Sequence, residues 1–133
     1  MNDNNAPRMA SDDPVEAKWQ LVRELNENLV DKRLVEAAYA DPALRGLFPL
    51  VSHGSLQFSR CTGFPWSGDL PSIFPLAGER FRVLRPYEAW GSGREQVGEA
   101  DTAEEAVELV ASHLPAGCGP AVDGTPDVLE PLR

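Results

Sequence analysis

Gly78-Glu79-Arg80-Phe81-Arg82-Val83-Leu84 is the stretch that decides the fold. Phe81 and Val83 alternate with Arg80 and Arg82, so one side is apolar and the other charged. Successive strand side chains point to opposite faces, and a strand that is apolar on one face belongs to an antiparallel sheet covered on one side. Gly78-Glu79 supplies the turn into it. Upstream, Ile73-Phe74-Pro75-Leu76 predicts a short edge strand, because Pro75 cannot donate to a ladder. Further up, Leu56 and Phe58 mark a strand over 55–62, and Gly63-Phe64-Pro65-Trp66-Ser67-Gly68-Asp69 a loop. Downstream, Tyr87 to Gly93 reads as a loop and Glu95 to Glu99 as another short strand.

Helices flank these strands. Asp13-Pro14-Val15-Glu16 is a start signal: Asp13 caps, Pro14 suits the first turn and Glu16 completes a capping-box pattern. Val15, Trp19, Val22, Leu25 (or Leu21), Leu29 and Val30 recur at helical spacing, continued by Leu34, Val35, Ala38 and Tyr39. One long helix or two short ones therefore cover about 14–40. Asp41-Pro42 repeats the signal for a short turn over Ala43 to Leu47, with Gly46 as its stop. At the other end Thr102-Ala103-Glu104-Glu105 is a capping box. Ala106, Val107, Leu109, Val110 and Leu114 give that helix its core face, and it stops before Pro115. The fold class is α+β: a small antiparallel sheet packed with an N-terminal helical segment and a C-terminal helix. Residues 1–12 read as a disordered tail, 13–121 as a single domain and 122–133 as an extended tail. So small a sheet gains from pairing its edge with a second copy, so a homodimer is expected.

A chain of 133 residues is long enough for one real core. Its 12 Lys and Arg against 21 Asp and Glu give a net charge of −9. That balance argues against duplex DNA or RNA, which need a basic face, and against an anionic membrane surface. No stretch approaches a membrane span, and Met1 to Asp13 lacks the apolar run of a secretion signal. With two cysteines, Cys61 and Cys118, and no CxxC spacing, the expected location is cytoplasmic, with both thiols free.

Reactive groups crowd into Val51 to Trp66. His53, beside Gly54, either exchanges a proton near neutral pH or is a turn histidine satisfied by backbone. On a regular strand Leu56, Phe58 and Arg60 share one face and Gln57, Ser59 and Cys61 the other. Arg60 then either grips a carboxylate at two points or forms a surface salt bridge. Cys61 follows a cation that lowers a thiol pKa, but a lone strand cysteine is more often packing. Phe64, Pro65 and Trp66 either offer contact area to a ligand or lid one end of the core. His113, in the last turn of the final helix, suits the helix dipole and is structural. Two distant histidines without a thiolate cluster do not make a zinc site, so no metal and no cofactor is expected.

Two stretches together carry a resemblance. One is Leu50-Val51-Ser52-His53-Gly54-Ser55-Leu56-Gln57-Phe58-Ser59-Arg60. The other is Gly98-Glu99-Ala100-Asp101-Thr102-Ala103-Glu104-Glu105-Ala106-Val107, running into Leu114-Pro115-Ala116-Gly117-Cys118-Gly119-Pro120-Ala121. Over about residues 20–125 the chain resembles a family of short natural product biosynthesis proteins of high-GC bacteria. That family in turn is similar to the small proteins encoded with cinnamycin- and duramycin-type lantibiotics. Those form a lysinoalanine bridge, by adding a lysine amine to a dehydroalanine of the same peptide. The resemblance implies a modified precursor peptide as partner, and it brings no defined catalytic motif to match residue by residue. A lysine is almost wholly protonated at neutral pH, so the addition needs a proton removed and two parts of a peptide held together. On this reading Phe58, Phe64 and Trp66 line an apolar groove, His53 relays the proton, and Arg60 grips a substrate carboxylate or polarises the amide. A substrate carboxylate acting as the base would leave the protein mainly a positioning role. The rival expectation is a non-catalytic binding module, such as an accessory or immunity protein.

Overall fold

The structure, a computed structural model, describes residues 13–84, 96–125, 127 and 129. The expected tail over 1–12, the loop from Tyr87 to Gly93 and the rest of the extended tail lie outside the described residues.

Two helices, not one, fill the N-terminal segment: α1 is Pro14–Arg23 and α2 is Lys32–Ala40. Asp13 caps α1, accepting from the amides of Val15 and Glu16. The partner half of the predicted box does not close, because Glu16 reaches across to α2 instead. Its carboxylate accepts from Gln20 and from the Tyr39 hydroxyl. Asp31 caps α2. Asp41 caps the short α3, Pro42–Arg45, which stops at Gly46 as the sequence predicts.

The sheet is a five-strand antiparallel meander, ordered as the chain runs: β1 Phe48–Ser52, β2 Ser55–Ser59, β3 Ser72–Leu76, β4 Arg80–Leu84, β5 Gln96–Ala100. The helix α4, Ala103–Ser112, follows. Phe81 and Val83 are buried while Arg80 is exposed, so the alternation that decides the fold is real. Core residues Leu56, Phe58, Ile73, Phe81, Val83 and Ala100 meet Trp19, Leu34, Val35, Ala106 and Val110 from the helices. Helices and sheet thus share one core, and the arrangement is α+β.

Three strand expectations need correction. β1 was not foreseen: Phe48-Pro49-Leu50 is a continuous apolar run because that end of the strand is covered on both faces, so no alternation shows. β2 ends at Ser59 rather than 62, since the Arg60 amide leaves the ladder for the Ser67 hydroxyl (3.0 Å). β3 is the central strand, not an edge. Its proline survives because the β2 pairing is confined to Leu56 opposite Ile73. Pro75 lies past that point, against the hairpin tip, where a Cβ on Gly54 would stand 3.5 Å from its Cγ.

At the N-terminus of α4 the cap is again a near-box. Thr102 accepts from the Glu105 amide, and the Glu105 carboxylate accepts from the amide of Asp101, one residue before the predicted donor. The stretch after 120 is extended and tied down. Val122 bridges Cys61 in parallel fashion, its amide donating to the Arg60 carbonyl (2.8 Å), and Gly63 donates to the Gly124 carbonyl (2.7 Å). A Cβ on Gly63 would meet that carbonyl oxygen at 2.9 Å, so only glycine allows the approach.

Candidate functional site

The β1–β2 ladder has two ends, and the sequence-predicted site residues are divided between them. His53 stands at the hairpin tip. It takes φ 52°, followed by Gly54 at φ 84°, the left-handed pair that a two-residue hairpin requires. Histidine tolerates that region better than most side chains. Its ring is exposed and its Nδ1 lies 3.2 Å from the Ser52 hydroxyl. This is the turn-histidine alternative. Arg60 follows the other end of β2. At about 3.3 Å per residue, the five residues of β2 separate the two by about 17 Å. The structure does not bring His53 and Arg60 together.

Around Arg60 the chain folds back on itself. Ser59 organises the reversal: its buried hydroxyl accepts from the amides of Cys61 (3.2 Å) and Ser67 (3.1 Å). Arg60 Nε and Nη2 both donate to Asp69 Oδ2, at 2.8 and 2.6 Å. The Arg60 side chain is only 13% exposed. Asp69 Oδ1 is buried without a partner. Burial pushes the Asp69 carboxyl up, but the bonds and charge of Arg60 outweigh it and hold it below the ordinary value. Cys118 is half-buried nearby, its thiol pushed up by burial, with Arg60 pulling it down and Asp69 pushing it up. Cys61 is buried, its Sγ 3.5 Å from the Gly63 carbonyl and 3.8 Å from that of Pro65. It packs, and neither thiol is disulfide-bonded.

The loop pinned by this pair carries Phe64 and Trp66, with a cis peptide at Phe64-Pro65. Trp66 stacks on Phe48 (centroids 5.6 Å apart) and meets Phe64 edge-on (5.7 Å). Lys18 Nζ lies 5.5 Å above the Phe48 ring. Phe64 is 74% exposed and Trp66 37%. Phe58 does not join them. It is 3% exposed on the helix side of the sheet, 6.4 Å from Trp19. Phe48 opposes Ser59 on the other face and takes the place foreseen for Phe58. The site is therefore an aromatic patch of Phe48, Phe64 and Trp66 beside Lys18, on a loop held by Arg60 and Asp69.

Sequence reasoning missed Phe48, Lys18, Ser67 and Asp69. Only Asp69 had a usable signal: an acid at the end of a Gly-flanked loop, nine residues after an arginine. Among the described residues, no group of three or more His, Cys, Asp or Glu gathers to hold a metal. Also among them, no helix is long and apolar enough to cross a membrane. Residues 13–125 match the model of a protein family of unknown function, DUF6193. No curated protein and no solved structure matches the chain.

Proposed function

The chain belongs to DUF6193, a family of unknown function, and we propose that it is a cytoplasmic peptide-binding protein of natural product maturation. Its partner is a dehydrated precursor peptide, and it promotes lysinoalanine formation by holding the lysine and the dehydroalanine together. The exposed aromatic patch carries this reading. Rings of this kind bury about 150–250 Å² each, so covering the free parts of Phe64 and Trp66 contributes about 5 kcal/mol before association costs. That anchors one side chain of a peptide and leaves the rest of the affinity to its backbone. The resemblance of Leu50 to Arg60 and of Gly98 to Ala121 supplies the class of peptide. Two unbridged thiols suit a reducing compartment.

The chemistry balances without a cofactor. The lysine nitrogen bonds to the alkene β-carbon, the ammonium proton goes to a base, and the α-carbon takes up a proton, so mass is unchanged. His53 stands at the far end of the strand, and Arg60 is occupied by Asp69. Both facts support positioning rather than acid–base catalysis by this chain, with a carboxylate of the peptide as the base. They also favour the second reading, a non-catalytic peptide- or protein-binding accessory.

The test is a mass spectrum of the dehydrated precursor incubated with the protein and then with a thiol that labels remaining dehydro residues. One thiol adduct fewer, only with protein present, is the expected result. His53→Asn, which keeps the turn, is expected to give the same product. Trp66→Ala with Phe64→Ala is expected to lose it while the chain stays folded. An unchanged adduct count with the peptide still bound establishes the accessory reading. No binding removes both.

A further inference from the structure

A cleft of about 470 Å³ lies at the opposite end of the β1–β2 ladder from the aromatic patch. It opens between the connection from α1 to α2, the hairpin tip at Gly54, and the turn from β3 to β4 at Glu79. That volume falls in the range of small-ligand sites. Leu29, Val30 and Pro75 give it an apolar wall, and Leu29 is 51% exposed there without a covering partner among the described residues.

Its charged groups are unevenly satisfied. Lys32 donates to the Arg23 carbonyl. Arg33 donates to Asp31 (2.9 Å) and to Glu79 (3.0 Å). Both cations of the wall are thus engaged, whereas Glu27, which also lines it, makes no hydrogen bond or ion pair among the described residues. Glu27 is exposed and free to take a cation, and its carboxylate with those of Asp31 and Glu79 against the two cations leaves the lining net negative.

We infer that this cleft binds an ammonium group on an alkyl stem, the side chain of a lysine, with Glu27 taking the charge and Leu29, Val30 and Pro75 the stem. The site is separate from the aromatic patch and does not rest on the peptide-maturation reading.

The test follows backbone amide resonances of the full chain while Nα-acetyl-lysine N-methylamide is added, with no precursor peptide present. Saturable shifts confined to residues 27–33, Gly54 and Glu79 are expected. Glu27→Gln, a change at an exposed position, is expected to weaken them at least about threefold, through loss of a charge-assisted hydrogen bond. The capped norleucine analogue, which keeps the stem without the ammonium, is expected to bind more weakly by a similar factor. Equal shifts from norleucine, tighter binding of capped glutamate, an unaltered affinity in Glu27→Gln, or no shift at these residues would each overturn the assignment. Failure here leaves the aromatic patch untouched, because the capped lysine has no ring to occupy it.

Discussion

Arg60 and Asp69 show how a residue's role changes once its partner is known. From sequence, Arg60 either grips a carboxylate at two points or forms a surface salt bridge, beside a cysteine that is more often packing. In the fold its guanidinium places two donors on a single carboxylate oxygen and is almost closed to solvent. The partner lies nine residues on, across a loop whose path no periodicity announces. Truncation should therefore be felt as lost structure first. Arg60→Ala leaves Asp69 partly buried and unpaired, which we expect to lower stability by about 2 kcal/mol, a figure discounted from fully buried pairs because Asp69 is one-third exposed. Asp69→Asn should also cost stability, since the nearly buried Arg60 guanidinium keeps a hydrogen-bond acceptor in the amide oxygen but loses its counter-charge. The double variant Arg60→Ala, Asp69→Asn should recover part of the loss. Urea denaturation of the four chains measures all three; a fully additive pair would mean that the contact carries no coupling. His53 was more legible, because a histidine beside glycine at a strand entrance is already a turn pattern.

Helix ends were readable because capping is a local contract: Asp13, Asp41 and Thr102 each bond to amides two or three residues on. What those signals could not give is the traffic between helices. Glu16 reads as a capping residue, yet it binds Tyr39 and Gln20 and approaches Arg45 at 3.5 Å. The Tyr39 ring lies between Arg23 and Arg45, with guanidinium carbons 4.3 and 4.2 Å from its centroid. Burial pushes the Glu16 carboxyl up, but the Tyr39 and Gln20 bonds and the Arg45 charge outweigh it, so the group titrates below its ordinary 4.5. A carboxyl depressed in the folded state adds stability that is complete above the unfolded value and is lost as pH falls through the folded one. The stability of the native chain should thus drop from near pH 5 downward, and Glu16→Gln should flatten that drop while lowering stability at neutral pH. Urea midpoints over that range decide it; identical pH profiles would show that the cluster does not couple to folding. The strands were less legible for a related reason. Alternation reports a strand with one covered face, and β1, apolar on both, hides from it.

At the scale of the whole molecule the sheet has two unlike edges. β1 is screened by α1, whose Trp19 indole donates to the Leu47 carbonyl (3.0 Å) and whose Lys18 covers Phe48. The outer edge of β5 pairs with no strand among the described residues. An unpaired edge offers a row of backbone donors and acceptors, and a second copy would satisfy them by antiparallel pairing of Gln96–Ala100 across a two-fold axis. The sequence suggested a dimer only from the smallness of the sheet; the open edge of β5 makes that strand the one we expect to form it. Charge sets the conditions. Each chain carries −9, so two copies repel at low ionic strength and the repulsion fades as the Debye length shrinks to about 8 Å at physiological salt. The dimer should therefore grow with both protein concentration and salt. Sedimentation equilibrium measures the mass, and hydrogen exchange measures the strand: outward amides of 96–100 should gain protection only where the dimer is populated. A monomer at every concentration and salt, or a dimer that leaves those amides unprotected, would remove β5 as the interface and return its edge to solvent or to an extended peptide.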